Sequence, residues 1–154
     1  MDLESRAAAA FARLAAMGVA TKAADEEGSR TYTGESKPFV VELSIHSGPS
    51  LDLRVGVADG GRYWFAWSRD SETYGEEVVL DDLDAFVTGL ATEQVLVGRL
   101  RHKLVFTFPI RDGHVLSRRG WSKITYQRSS PTRPAIEGLV PLLAWAGRSG
   151  TAFP

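Results

Sequence analysis

Cysteine is absent from the 154 residues. That excludes a disulfide framework and thiolate chemistry, and it fits a reducing compartment. Long apolar runs are missing too, where a membrane-spanning helix needs about 20 such residues. The opening MDLESRAAAAFARL carries acids early and has no apolar core, so it does not read as a signal peptide. Repeats and low-complexity linkers are likewise missing. The expectation from these absences is a single soluble domain spanning 1–154, cytoplasmic, with no membrane partner.

Catalytic signatures are also lacking. There is no G-x-S-x-G elbow, no phosphate-binding Walker loop and no G-x-G-x-x-G after a strand. His46, His102 and His114 show no close ligand spacing, and no cysteine is present to complete a metal set. His102 falls among apolar residues, where a hydrogen-bonded core histidine is the simpler reading than a general base. The acids of DDLD, 81–84, stand where a helix begins and read as capping and dipole compensation rather than as magnesium ligands. No catalytic residue, metal or cofactor is therefore assigned, and a non-enzymatic role is expected. An enzyme with a scattered site, or a small-molecule binder with a pocket between helices and sheet, stays open as an alternative.

What is present is periodicity. Leu3, Ala7, Ala10, Phe11 and Leu14 recur at helical spacing up to Gly18. Residues 25–38 are polar and turn-rich and read as a loop or weak edge strand. From Phe39 to Trp67 apolar residues alternate, predicting a strand meander. A turn at HSGPS sets Ile45 opposite Leu51, Leu43 opposite Leu53 and Glu42 opposite Arg54. A three-residue loop at 59–61 would then place Tyr63, Phe65 and Trp67 opposite Val57, Val55 and Leu53, leaving Trp64 on the outer face.

Val78–Leu80 reads as a short strand, followed by a helix carrying Leu83, Phe86, Val87 and Leu90; residues 93–98 are ambiguous. Residues 99–110 alternate Leu100, His102, Leu104, Phe106 and Phe108 against Arg99, Arg101 and Lys103, as a half-buried strand does. Asp112-Gly113 predicts a tight hairpin back into a strand from Val115 to about Arg128, with a bulge at Gly120. Residues 135–147 read as a last helix kinked at Pro141. The expected class is α+β: N-terminal helix, antiparallel β-meander, central helix, long β-hairpin and C-terminal helix, with helices mainly on one sheet face.

Formal net charge is only −1, but it is unevenly spread. Residues 1–98 hold 17 Asp or Glu against 8 Lys or Arg, while residues 99–154 hold 2 against 10. Two surfaces follow as candidates, unless the halves neutralise each other within the fold. One is basic, with Arg99, Arg101, Lys103, Arg118, Arg119 and Lys123 beside Trp121. It could grip phosphates with a base stacked on the ring, or an acidic protein. The other is acidic, from Asp70, Glu72, Tyr74, Glu76 and Glu77, and suits a basic cleft. Its plainer reading is a solvated loop and helix start. Trp64 is an interface anchor if no helix or loop covers it.

The stretch GRYWFAWSRDSETYGEEVVLDDLDAFVTGL, 61–90, joins an aromatic strand, a polar turn, a GEE stub and an acid-capped helix. It resembles small bacterial immunity proteins that accompany polymorphic toxins, in particular those guarding against NAD-degrading toxins. A fainter resemblance is to type III secretion chaperone-like modules. The first resemblance implies a protein-binding inhibitor of a cognate toxin. A nucleic-acid-binding domain using the 99–123 hairpin stands as the alternative.

Overall fold

The computed structural model describes residues 2–36, 39–48, 50–59, 62–100, 103–119, 125–132 and 136–146; the side chains at 57–66, 99–104, 119–128, 145 and 146 are not among those described. Helix α1 (Leu3–Ala16) forms where the periodicity places it. The Asp2 carboxylate accepts from the Ser5 amide at 2.7 Å and satisfies one of the free N–H groups of the first turn. Ala7, Ala10, Phe11 and Leu14 are buried, and Gly18 leaves the helix with φ of 88°.

Of the two readings of residues 25–38, strand is the one realised, though most of the stretch lies in an inner strand rather than at the edge. The chain after α1 forms the hairpin β1 (Ala20–Glu26) and β2 (Ser29–Ser36). The alternation was hard to see because every β1 residue is exposed and β2 buries only Tyr32 and Gly34. Strands β3 (Phe39–His46), β4 (Ser50–Asp59) and β5 (Arg62–Asp70) complete an antiparallel meander in the order β1-β2-β3-β4-β5. The β3–β4 register is the expected one, with Ile45 opposite Leu51, Leu43 opposite Leu53 and Glu42 opposite Arg54. The β4–β5 register differs: Asp59 pairs with Arg62, and a bulge after Val57 sets Phe65 opposite Val57 and Trp67 opposite Val55. An added residue on one strand shifts pairing by a step while keeping the apolar rows on one face.

Helices α2 (Ser71–Tyr74) and α3 (Glu76–Ala91) follow, separated by Gly75 at φ of 91°. The strand expected at Val78–Leu80 is the opening of α3. A short apolar run does not distinguish a buried helix from a strand, and α3 buries Val79, Leu80, Leu83, Phe86, Val87 and Leu90. Asp81, Asp82 and Asp84 consequently lie within the helix rather than at its start, and they are not caps.

The long hairpin is also revised. What read as two strands is four: β6 (Leu96–Leu100), β7 (Lys103–Ile110), β8 (Gly113–Arg119) and β9 (Thr125–Ser130). Leu100 pairs with Lys103, so the chain reverses within the supposed strand 99–110, and Arg119 pairs with Thr125. The β7–β8 turn is Arg111-Asp112, since Ile110 pairs with Gly113. The bulge expected at Gly120 lies outside the described residues. The last helix is reduced to α4 (Leu142–Ala146), preceded by the two-residue strand β10 (Val140–Pro141) on the edge of β6. Proline disfavours helical backbone in the residue before it, which keeps Val140 extended.

The described residues form an α+β architecture of four helices and two antiparallel sheets, the second in the order β10-β6-β7-β8-β9. One apolar cluster runs through both sheets. Phe86 of α3 joins them, edge-on to Phe39 at 6.3 Å and to Phe108 at 5.5 Å, while Trp67 meets Phe108 at 5.5 Å. Such edge contacts add about 0.5–1.5 kcal/mol each to area burial.

Close approach of α3 to β7 depends on Gly89. A Cβ there would run into the Pro109 ring and stand 3.3 Å from Val95 Cγ2. Alanine is favoured over glycine in a helix interior by about 1 kcal/mol. Gly89→Ala is nevertheless expected to lower stability, by about 1–3 kcal/mol of overpacking; urea denaturation reads the sign directly.

Candidate functional site

The residues with the richest polar chemistry meet where β5, α2, α3 and the β7–β8 turn come together. Arg69 shares the core parity of Trp67 on β5, and a guanidinium pointed inward requires an acceptor. Asp82 supplies it: Arg69 Nη1 donates to Oδ2 at 3.0 Å, and the Arg111 backbone amide donates to Oδ1 at 2.8 Å. The Asp82 carboxylate is completely buried, with both oxygens engaged. Burial pushes its pKa up, and the Arg111 amide and the Arg69 charge offset that only in part.

Asp81 and Asp84 hold α1 against α3. Arg6 Nη2 donates to Asp84 at 2.6 Å and to Asp81 at 2.9 Å, which raises the Arg6 pKa, with Asp84 the larger contributor. Arg111 Nε also lies 3.5 Å from Asp81. DDLD therefore fastens three parts of the chain to one helix.

Above this node stands Tyr74. The Arg69 guanidinium carbon lies 4.4 Å from the Tyr74 ring centroid and 5.2 Å from that of Trp67, so the cation is held between two rings. Tyr74 is 50 % exposed, the most exposed large apolar side chain among the described residues. Asp70 caps α2 by accepting from the Thr73 amide at 2.7 Å; Thr73, through its side chain and its amide, keeps the Asp70 pKa low. Ser71 Oγ accepts from the Leu51 amide at 2.7 Å and ties α2 to β4. Glu72 and Glu77 are exposed and Glu76 partly so.

The acidic candidates thus lie together on the α2–α3 corner. The basic ones do not form the continuous row expected of them. Cross-strand partners share a face and successive residues alternate. Arg99 stands opposite Leu104 and Lys103 opposite Leu100, so their positions belong to opposite faces of the second sheet. Arg118 is half-buried, opposite Val105 and Tyr126. Arg119 pairs with Leu104 and Thr125 through its backbone. Arg101, His102, Trp121 and Lys123 lie outside the described residues. Trp64 falls at the β5 bulge, its side chain likewise outside.

His46 Nε2 lies 2.8 Å from Asp52 Oδ2, across the β3–β4 pair. Among the described residues no three His, Asp or Glu side chains gather as a metal site. Nor is any helix among them long and apolar enough to cross a membrane. Arg6, Arg69 and Arg111 were missed in the sequence. For Arg69 the signal was available, since an arginine on the core row of a strand calls for a carboxylate, and three follow at 81–84. Comparison with protein-family models, curated proteins and solved structures finds no match to this chain.

Asp82→Ala leaves the Arg111 amide and the Arg69 guanidinium without their acceptor and is expected to cost about 3 kcal/mol, measured by chemical denaturation. Asp82→Asn separates charge from hydrogen bonding. A carboxyl whose pKa is raised on folding contributes stability below its ordinary value of 3.8 and loses that contribution as pH rises through the folded value. The difference in denaturation midpoint should therefore move in favour of Asn as pH is raised from 3.8 toward neutrality.

Proposed function

We propose that the chain is a non-enzymatic protein-binding module, an immunity protein that docks on a cognate bacterial toxin and blocks it. The observation carrying this reading is Tyr74. It is an aromatic side chain half in solvent, fixed from beneath by Arg69 and bordered in sequence by Glu72, Glu76 and Glu77. Aromatic anchors held rigid before contact contribute most to protein interfaces, because little rotamer freedom remains to be lost. Acids around the anchor favour a basic surface on the partner and speed encounter at low salt. Blocking a cleft that binds an anionic substrate is one task such a surface performs. The resemblance of residues 61–90 to toxin-guarding proteins points to the same role.

The test is co-expression with the toxin encoded beside this chain, followed by binding with purified components. Relief of growth arrest and a stable complex are expected; persistent arrest without a complex removes the reading. Tyr74→Ala should weaken the complex by about 2 kcal/mol, roughly thirtyfold, without lowering thermal stability comparably. Glu72→Lys with Glu77→Lys should chiefly slow association, with an effect that fades as salt is raised.

A further inference from the structure

Sheet edges with free backbone groups pair with other chains unless something prevents it. Strand β1 is such an edge. It pairs with β2 over all seven residues in unbroken register, and every one of its residues is exposed. It contains no proline or bulge; Ala20, Thr21, Ala23 and Ala24 are small, and its guards against pairing are the charges of Lys22, Asp25 and Glu26, which admit a second strand only where they meet opposite charge.

The turn at 27 and 28 sets which backbone groups are free. A two-residue hairpin makes Glu26–Ser29 a hydrogen-bonded pair, so Ala24, Lys22 and Ala20 bond inward to β2. The N–H and C=O groups of Thr21, Ala23 and Asp25 then face outward. Antiparallel addition of a second β1 must match outward-bonding residues with one another, which restricts the two-fold axis to a few positions. Centring on Lys22 opposes two ammonium groups. Centring on Ala24 places Lys22 opposite the partner's Glu26 on both sides of the axis, with alanine against alanine at the middle. Asp25, diagonal to its own symmetry mate in that register, already lies 3.6 Å from Arg30 Nε.

We propose that two copies of the chain associate through β1, antiparallel and centred on Ala24. The joined sheet has ten strands, held at the seam by backbone hydrogen bonds and the two Lys22–Glu26 pairs. The dimer leaves the Tyr74 corner, near the opposite edge of the first sheet, available to other partners.

Sedimentation equilibrium of the intact chain over a concentration series tests this. The wild type should reach twice its 16.8 kDa mass. Lys22→Glu and Glu26→Lys should each weaken association by about tenfold or more, because both symmetric pairs become repulsive. Mixing the two variants in equal amounts should restore the dimer, since each reversed charge then meets its opposite. Both substituted side chains are exposed, so the fold does not depend on them. A wild type at 16.8 kDa throughout, single variants that dimerise as well as the wild type, or a mixture that stays monomeric would each overturn the proposal.

Discussion

Asp82 is the interaction on which the arrangement of this protein turns. A carboxylate removed from water is costly unless both oxygens are used, and here one takes the Arg69 guanidinium and the other the Arg111 amide. One side chain on α3 thereby fixes the end of β5 and the turn between β7 and β8, which belong to different sheets. Apolar packing at Phe39, Phe86, Phe108 and Trp67 supplies contact area across the same junction, but it is not directional. The Asp82 bonds choose one orientation among the several that greasy surfaces would accept.

From this node the exposed surface inherits its order. Arg69 is stationary because Asp82 holds it, and Tyr74 is stationary because its ring rests on Arg69. A four-residue helix such as α2 has little stability of its own. Its position comes from the Asp70 cap, the Ser71 bond to the Leu51 amide and this stack of charge and rings. Interior electrostatics and a surface aromatic are therefore parts of one construction.

The sequence revealed the pieces governed by strong local periodicity. The buried face of α1, the β3–β4 register and the stripe Leu83–Leu90 all follow from side-chain spacing. It was less informative where reversal carries no turn chemistry. Arg101-His102 contains none of the residues that favour tight turns, so Leu100 and Lys103 read as members of one strand although they face each other across two. It also misled at Val78–Leu80, where helix and strand look alike over three residues. The candidate site was legible as a run of acids and one tyrosine. What the acids do was not, because their partners, Arg6, Arg69 and Arg111, come from three separate parts of the chain.

The order of the strands has a consequence for how the chain matures. The first sheet is a meander of neighbours, so each strand meets its partner soon after it leaves the ribosome. The second is bordered by β10, whose Val140 pairs with Val97, and the Leu142 amide donates to the Val95 carbonyl at 2.8 Å. That edge of β6 waits for some forty further residues, and closing so long a loop is slow beside pairing adjacent strands. During synthesis one half can assume its final shape while the border of the other still lacks its last strand.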